Sequence, residues 1–269
     1  VATAKAGGIA AESEAGATVA GCFVAGGTIT GQFAGGIVGS NAGEVDGCYT
    51  TSGVIGGGSN NAEAGGICGK NLGEIKNCYS ISTISGTATN ADAGGIAGTN
   101  GSKGKIHDCA ALNIEGITGA GTGVVTRIAK DNSGTFADNY ASFLIPGTWV
   151  TTKTADGVNG LGWDGGTFPA GFDTEWNMTG DKLPRLNVYT DRSTLQPADN
   201  LLKSDYRTHA ITLTQPAEGG TITATPASSP ALVSDKQNNI KANTVITLEN
   251  NPKSDYQLKH YTIAGAEIT

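Results

Sequence analysis

Residues 64–79, AGGICGKNLGEIKNCY, form a sequence unit that recurs along the chain. This stretch returns upstream as AGGIVGSNAGEVDGCY at residues 34–49. It returns downstream as AGGIAGTN at 93–100, followed by GKIHDC at 104–109. The three copies begin 30 and 29 residues apart. A fixed period of this length is typical of a solenoid, in which each repeat forms one coil that stacks on the next.

Weaker copies of the same pattern flank these three. AGGI at 6–9 with VAGCF at 19–23 marks a first coil, and TGVV at 122–125 with FADNY at 136–140 marks a fifth. End coils are expected to depart from the consensus because one of their faces meets solvent or a cap. The sequence therefore predicts an all-β chain whose residues 1–145 form a parallel β-solenoid, or β-helix, of about five ~29-residue coils.

Within one coil the sequence predicts three short strands between residues 66 and 84, one of them continuous over 74–79. Alternation of apolar and polar residues places Ile67, Ile75 and Ile81 on the inside of the coil. Frequent glycine and β-branched residues disfavour helix, and no 3.6-residue apolar stripe persists along the chain. Each coil is therefore expected to be built from strands and turns.

Two kinds of side chain recur at fixed positions in the coils. Asn41, Asn71 and Asn100 are expected to pass amide hydrogen bonds from coil to coil, at turns where the backbone enters the left-handed region. Four of the five cysteines share another position, and we expect them to pack as small buried side chains. These four are Cys22, Cys48, Cys78 and Cys109. The sequence leaves their bond state open, and no C-x2-C pair indicates a zinc site.

Composition narrows the classes of partner. Glycine accounts for 42 of the 269 residues, charged residues for 15%, and the net charge is −7. A negative chain is a poor match for nucleic acid, whose binding depends on Lys and Arg, and for an anionic membrane surface. No apolar run approaches the ~18 residues of a membrane span. Because residue 1 is valine rather than methionine, we expect a processed form or an excised piece.

The stretch at 64–79 resembles the GLUG repeat of bacterial surface proteins, including regions attached to some immunoglobulin A proteases and large adhesins. The motif has the form A-G-G-I-x-G-x-N-x-G-x-I-x-N-C-Y, and the resemblance covers roughly residues 1–145. It implies a β-solenoid on an exported bacterial protein, at the cell surface or outside the cell. The resemblance implies no catalytic residue.

All three tryptophans lie in residues 146–186, directly after the repeats: Trp149, Trp163 and Trp176. We expect this segment to cap the last coil and cover its open strand edges. The alternative is an aromatic ligand-binding platform, because exposed indole rings stack well on sugars and other ligands. The three tryptophans are therefore the candidate ligand-binding residues.

A polar linker is predicted at 187–208, followed by a small separate β domain at 209–269. Its expected strands are at 210–214, 221–225, 244–248 and 256–263, with the first two forming a hairpin. EGGTI at 218–222, NTVITL at 243–248 and DYQLKHYT at 255–262 resemble a divergent internalin-type B-repeat, which continues beyond residue 269 in that family. The resemblance implies a spacer or adhesion module.

The sequence offers few candidate catalytic or metal-binding residues. No nucleophile motif, H-E-x-x-H or P-loop is present. Glu44 and Glu74 occupy equivalent positions on neighbouring coils and are interpreted as a solvated charge stack, with Asp46, Lys76 and His107 in a mixed column beside them. Two Asp/Asn-Gly segments, at 156–160 and 164–166, could offer oxygens to calcium but are ordinary turn sequences.

These observations favour a non-catalytic structural or adhesive protein displayed on the bacterial surface, with a host glycan or glycoprotein as its partner. A face of stacked Thr, Ser and Asn, or the Trp-bearing segment, would carry that binding. We expect no cofactor and no metal ion. The alternatives are a β-helix carbohydrate-active enzyme, which needs two carboxylates flanking one sugar bond, and a pure spacer in a larger surface protein.

Overall fold

The computed structural model describes residues 4–145 except 52, 58 and 59. It further describes a set of shorter pieces, namely 160–163, 168, 172, 176–177, 180–187, 208–212, 220–226, 236–241 and 246–252. The regular structure of these residues consists of β-strands. The chain divides into two compact units, Val1–Arg207 and Thr208–Thr269.

The first unit winds through five coils with up to five strands each. Coil 1 contains β1 (Lys5–Gly7), β2 (Ala10–Ser13), β3 (Thr18–Ala20), β4 (Phe23–Ala25) and β5 (Thr28–Gly31). Coil 2 contains β6 (Phe33–Gly35), β7 (Val38–Asn41), β8 (Glu44–Asp46), β9 (Tyr49–Thr51) and β10 (Val54–Gly57). Coil 3 contains β11 (Glu63–Gly65), β12 (Cys68–Asn71), β13 (Glu74–Lys76), β14 (Tyr79–Ser80) and β15 (Thr83–Gly86).

The last two coils follow the same plan with shorter strands. Coil 4 contains β16 (Asp92–Gly94), β17 (Ala97–Asn100), β18 (Lys105–His107), β19 (Ala110–Ala111) and β20 (Ile117–Thr118). Coil 5 contains β21 (Val125–Thr126), β22 (Lys130–Asp131), β23 (Thr135–Ala137) and β24 (Tyr140–Ser142). After the coils come β25 (Leu161–Trp163), β26 (Trp176–Asn177) and β27 (Arg185–Leu186).

Strands at the same position in successive coils pair in parallel and form five sheets. The first sheet has the order β1-β6-β11-β16-β21, the second β2-β7-β12-β17-β22, and the third β3-β8-β13-β18-β23. The fourth has the order β4-β9-β14-β19-β24-β25, and the fifth β5-β10-β15-β20. Equivalent residues of the repeat are register partners; Ile75, for example, lies between Val45 and Ile106. The predicted parallel β-solenoid of about five coils is confirmed.

The prediction of three strands per coil was wrong, because each of coils 1–4 has five. The expected strand at 74–79 breaks at Asn77, whose φ of 52° lies in the left-handed region. Gly47 and Asp108 occupy the same corner in the neighbouring coils, with φ of 58° and 52°. The left-handed turn therefore belongs to this corner rather than to Asn71 and its equivalents, which end β7, β12 and β17 in ordinary extended backbone.

The interior of the solenoid is a set of apolar columns. Ile67 and Ile75 are fully buried there, as predicted. Ile81 is not inside; it packs against a separate aromatic cluster on the outer side of the fourth sheet. The left-handed corner at Asn77 shifts the alternation by one position, so Ile81 points outward and Ile84 points inward with its register partners Ile55 and Ile117.

The repeated asparagines form the predicted amide ladder. Asn41 Nδ2 donates to Asn71 Oδ1, and Asn71 Nδ2 donates to Asn100 Oδ1, both at 2.9 Å. All three side chains are fully buried. Each Nδ2 also donates to a backbone carbonyl one coil further on, which for Asn71 is Lys105 O at 3.2 Å. The ladder therefore ties neighbouring coils together through side chains as well as backbone.

The second unit contains two antiparallel strand pairs: β28 (Thr208–Thr212) with β30 (Lys236–Lys241), and β29 (Gly220–Pro226) with β31 (Ile246–Pro252). The small β domain was expected, but the hairpin pairing of its first two strands was wrong. Each of those strands pairs with one further along the chain, and β30 was not predicted. The strand predicted at 256–263 lies outside the described residues.

Candidate functional site

The predicted tryptophan site lies beside a column of aromatic rings on the outer side of the fourth sheet. Tyr49 and Tyr79 are register partners whose rings stack with centroids 4.9 Å apart. Phe23 stacks on Tyr49 at 5.3 Å. The repeat places these rings one coil apart, so that they form a continuous apolar strip along the solenoid.

The segment that follows the coils packs onto this strip. The Trp176 ring lies 5.8 Å from Tyr49 and 5.6 Å from Tyr79, between centroids. Phe168 and Phe172 continue the cluster from Trp176 to Trp163 with centroid separations of 5.0 Å. The segment therefore covers the side of coils 2 and 3, whereas the sequence predicted a cover for the last coil.

One part of the segment does extend the last coil as expected, because β25 pairs in parallel with β24. The cluster is anchored at its other end by Tyr79, whose hydroxyl donates to Pro184 O at 2.8 Å. Trp163 and Trp176 are only 3% and 2% exposed. A ligand could stack on either indole only after this packing had opened. Trp149 lies outside the described residues, and ligand binding by the three tryptophans stays a prediction.

The charged column predicted on the third sheet is present. Glu44, Glu74 and Lys105 are register partners, and Lys76 lies between Asp46 and His107 in the next column. Lys76 Nζ is 3.4 Å from Glu44 Oε1. The two glutamates are neighbours of like charge, and Lys76 offsets them from the adjacent column, as expected for a solvated face.

In this column, His107 contacts two carboxylates. Its Nε2 is 2.9 Å from Glu74 Oε1, and its Nδ1 is 2.8 Å from Asp108 Oδ2. Burial lowers the pKa of His107, but hydrogen bonds to Asp108 and Glu74 outweigh burial, and the net pKa is raised. The hydrogen bond from His107 in turn lowers the pKa of Glu74. A carboxyl with a lowered pKa is a poor general acid.

A second group of charges was missed by the sequence analysis. Glu63 and Asp92 are register partners on β11 and β16, and each directly precedes the Ala-Gly-Gly-Ile motif of its coil. Glu63 accepts a hydrogen bond from Thr99 Oγ1 and lies 3.7 Å from Lys70 Nζ. Asp92 Oδ2 is 2.8 Å from Lys130 Nζ. We call Glu63, Asp92 and Lys130 the carboxylate seam.

The outer side of the fifth sheet carries hydroxyl groups and no charge among its described residues. The inward side of this sheet is the Ile55–Ile84–Ile117 column. The alternate positions include Thr28, Thr30, Gly56, Thr83, Ser85 and Thr118, and Val54 is the register partner of Thr28 and Thr83. We call the five hydroxyl-bearing residues of this set the hydroxyl face; Thr28, Thr30 and Thr118 are its exposed members.

The geometry of the cysteine column indicates a structural role. The five cysteines are free thiols, and Cys48, Cys78 and Cys109 are fully buried. Cys78 Sγ donates to Lys76 O at 3.0 Å and accepts from the backbone N–H of Cys48 at 3.3 Å. Burial raises the pKa of Cys78 well above its ordinary value. A buried thiol with a raised pKa is unreactive, which supports the predicted packing role.

The described part of the chain contains neither a clustered set of metal ligands nor a membrane-spanning helix. No group of three or more His, Cys, Asp or Glu side chains is arranged to hold a metal ion among these residues. Nor do they include a helix long and apolar enough to cross a membrane. Comparison of the chain with protein-family models, curated proteins and solved structures yields no match in any of the three.

Proposed function

We propose that this protein is a non-catalytic structural and adhesive element, exported and displayed at the bacterial surface, whose solenoid holds a binding face for a host glycan or glycoprotein. The amide ladder is the observation that carries the proposal. Buried side-chain amides that bond each coil to the next favour a solenoid that keeps its shape. The resemblances to GLUG and B-repeat sequences support the same role and the surface location.

The hydroxyl face is the proposed contact surface. It presents Thr and Ser side chains on a regular sheet, where a hydroxyl group both donates and accepts hydrogen bonds, as sugar hydroxyls do. The tryptophans are less suited to initial contact because Trp163 and Trp176 are buried. The charged column is less suited because its carboxylates already bond to Lys76 and His107.

A glycan array probed with the intact chain tests this proposal. Any glycan that binds is then measured with the double variant Thr28→Lys/Thr30→Lys and with Thr135→Lys. All three threonines are exposed on strands, but Thr135 lies on the third sheet, so it controls for added charge. We expect the double variant to lose binding and Thr135→Lys to retain it. Equal binding by both would contradict the hydroxyl face as the contact surface.

The main alternative is a carbohydrate-active enzyme, and the observation that favours it is the stacking of Glu44 on Glu74. Neighbouring strands lie about 4.8 Å apart, close to the carboxylate separation of retaining glycosidases. However, Glu74 is hydrogen-bonded to His107 and its pKa is lowered rather than raised. A pure spacer is the remaining alternative, which complete absence of binding would favour.

A further inference from the structure

The carboxylate seam brings the amine of Lys130, whose side chain is 37% exposed, against a largely buried carboxyl group. Lys130 Nζ lies 2.8 Å from Asp92 Oδ2, although the two residues are 38 positions apart in the chain. The Asp92 side chain is 12% exposed. Its other oxygen, Oδ1, accepts a hydrogen bond from the backbone N–H of Val124 at 2.9 Å. The two carboxyl oxygens therefore have different partners: Oδ2 faces the Lys130 amine, and Oδ1 faces a backbone N–H.

A second carboxyl group lies beside this pair. Glu63 is the register partner of Asp92 on the neighbouring strand, about 4.8 Å away along the sheet. Its side chain is 14% exposed. Burial raises the pKa of Glu63, although the hydrogen bond from Thr99 acts in the opposite sense. A carboxyl group whose pKa is raised in this way takes up a proton more readily than an exposed one.

We propose that Lys130 and Asp92 join through an intramolecular amide bond that links coils 4 and 5, with Glu63 carrying the proton that the reaction must move. The bond would be a covalent clamp between neighbouring coils. It concerns the chain itself and does not depend on the identity of any ligand.

The reaction is a condensation and needs no oxidant or cofactor. A proton passes from the Lys130 ammonium group to the Asp92 carboxylate, which leaves a neutral amine facing a carboxylic acid. The Nζ lone pair attacks Asp92 Cγ, and the Val124 N–H stabilises the charge that develops on Oδ1. The Glu63 side chain, which here contacts Thr99 and Lys70, turns toward Nζ, accepts its proton and delivers it to the hydroxyl at Oδ2. The Cγ–Oδ2 bond breaks, and the products are one amide and one water molecule.

Proximity accelerates this condensation. Groups held in a reactive geometry reach effective molarities of about 10⁵ M or more, so an amine fixed against one acid reacts far faster than the same groups free in solution. The seam holds the amine within hydrogen-bond distance of the acid before any reaction. A pair whose carboxyl group is exposed lacks this advantage because its side chains move.

The charged column supplies an internal comparison. Lys76 Nζ is 3.4 Å from Glu44 and 3.7 Å from Asp46, so it too has two carboxylates nearby. Those carboxylate side chains are 36% and 30% exposed, against 12% for Asp92 and 14% for Glu63. The lysine side chains do not follow the same order, since Lys130 is 37% exposed and Lys76 is 27% exposed. Because the comparison rests on the carboxyl groups, we expect the cross-link in the seam and not at Lys76.

Mass spectrometry of the intact, denatured chain tests the proposal. We expect the wild-type chain to be lighter than its sequence by one water molecule. Lys130→Arg and Glu63→Gln, both of similar shape to the native residue, are expected to have the full sequence mass. Circular dichroism shows whether each variant has kept its β structure. Proteolytic digestion of the wild type is expected to give one branched peptide that joins Asp92 to Lys130.

The branched peptide makes the test independent of how the variants fold. A full-mass wild-type chain without this peptide would overturn the proposal. A water loss that persists in Lys130→Arg would also overturn it, since cyclisation at an Asp-Gly bond such as Asp46-Gly47 loses water as well. A cross-link that still forms in Glu63→Gln would overturn the role of Glu63.

Discussion

Asn71→Ala tests the amide ladder at its centre. The Asn71 side chain is fully buried and accepts from Asn41 Nδ2 at 2.9 Å. It donates to Asn100 Oδ1 at 2.9 Å and to Lys105 O at 3.2 Å. Truncation to alanine therefore removes three hydrogen bonds between coils, and Asn41 Nδ2, Asn100 Oδ1 and Lys105 O each lose the Asn71 amide as a partner. Water cannot replace it without entering the stack.

The magnitude follows from the groups that lose a partner. Each buried polar group left unsatisfied costs about 1–3 kcal/mol. Asn41 Nδ2 retains its bond to Glu74 O, so its share is at the low end. Asn100 Oδ1 and Lys105 O lose the amide that reaches them from Asn71. We expect the free energy of unfolding to fall by about 3–5 kcal/mol, a large share of a domain's stability.

Urea unfolding followed by far-ultraviolet circular dichroism measures this loss. The midpoint is expected to fall while the slope against urea stays constant, because the same surface is exposed on unfolding. Asn132→Ala is the matched control, since Asn132 is exposed in a turn of coil 5 and should change stability by less than about 0.5 kcal/mol. If Asn71→Ala were no more destabilising than Asn132→Ala, the ladder would not hold the coils together.

Three other predictions concern packing and pH. Gly66→Ala should destabilise the chain by about 1–3 kcal/mol or more, because the new methyl would lie 2.1 Å from Gly95 O. Urea unfolding measures this loss and should show little change for the control Gly56→Ala, whose methyl meets nothing closer than 3.6 Å. Trp176→Ala should cost about 3–5 kcal/mol and weaken the near-ultraviolet circular dichroism of the aromatic cluster, and an unchanged spectrum would contradict that packing. Because the pKa of His107 is raised in the folded chain, the protonated ring stabilises the fold fully below the unfolded pKa of about 6.5, and this stabilisation is lost as pH rises through the folded pKa. An NMR titration of the ring should show the raised pKa, and His107→Gln should remove this part of the pH dependence of unfolding.

The parts of the fold that could be predicted are those that the repeat imposes. Once residues 34–49 and 64–79 stack as equivalent coils, Asn71 must meet Asn41, and Cys78 must meet Cys48, whatever the shape of the cross-section. That is why the amide ladder and the burial of Cys48, Cys78 and Cys109 were correctly predicted, whereas Cys22, in the end coil, is only half-buried. The repeat does not determine where each coil turns. The left-handed corner at Asn77 and the outward position of Ile81 depend on the folded cross-section, so they were missed.

The carboxylate seam was missed for a different reason. The position before Ala-Gly-Gly-Ile holds Phe33 in coil 2, Glu63 in coil 3 and Asp92 in coil 4, so it forms no column of like residues. Lys130 comes from the second sheet, and only the fold brings it to Asp92. The shared position of Glu63 and Asp92 directly before the motif was nevertheless a usable signal in the sequence.

The aromatic cluster lay beyond the reach of sequence periodicity. Tyr49 and Tyr79 repeat and could be expected to stack, but Trp163 and Trp176 belong to a segment without a repeat. Nothing in its sequence states which face of the solenoid it contacts. The outcome depends on the apolar strip that the stacked tyrosines present, and on the hydrogen bond from Tyr79 to Pro184 O.

We infer that the protein presents a binding face without catalysing a reaction. Reducing-sugar release from each glycan that binds the intact chain distinguishes binding from catalysis. We predict binding without any release above that of the glycan alone. Release that was abolished by Glu74→Gln or Glu44→Gln, in variants that still bound the glycan, would contradict the account and identify the charged column as an active site.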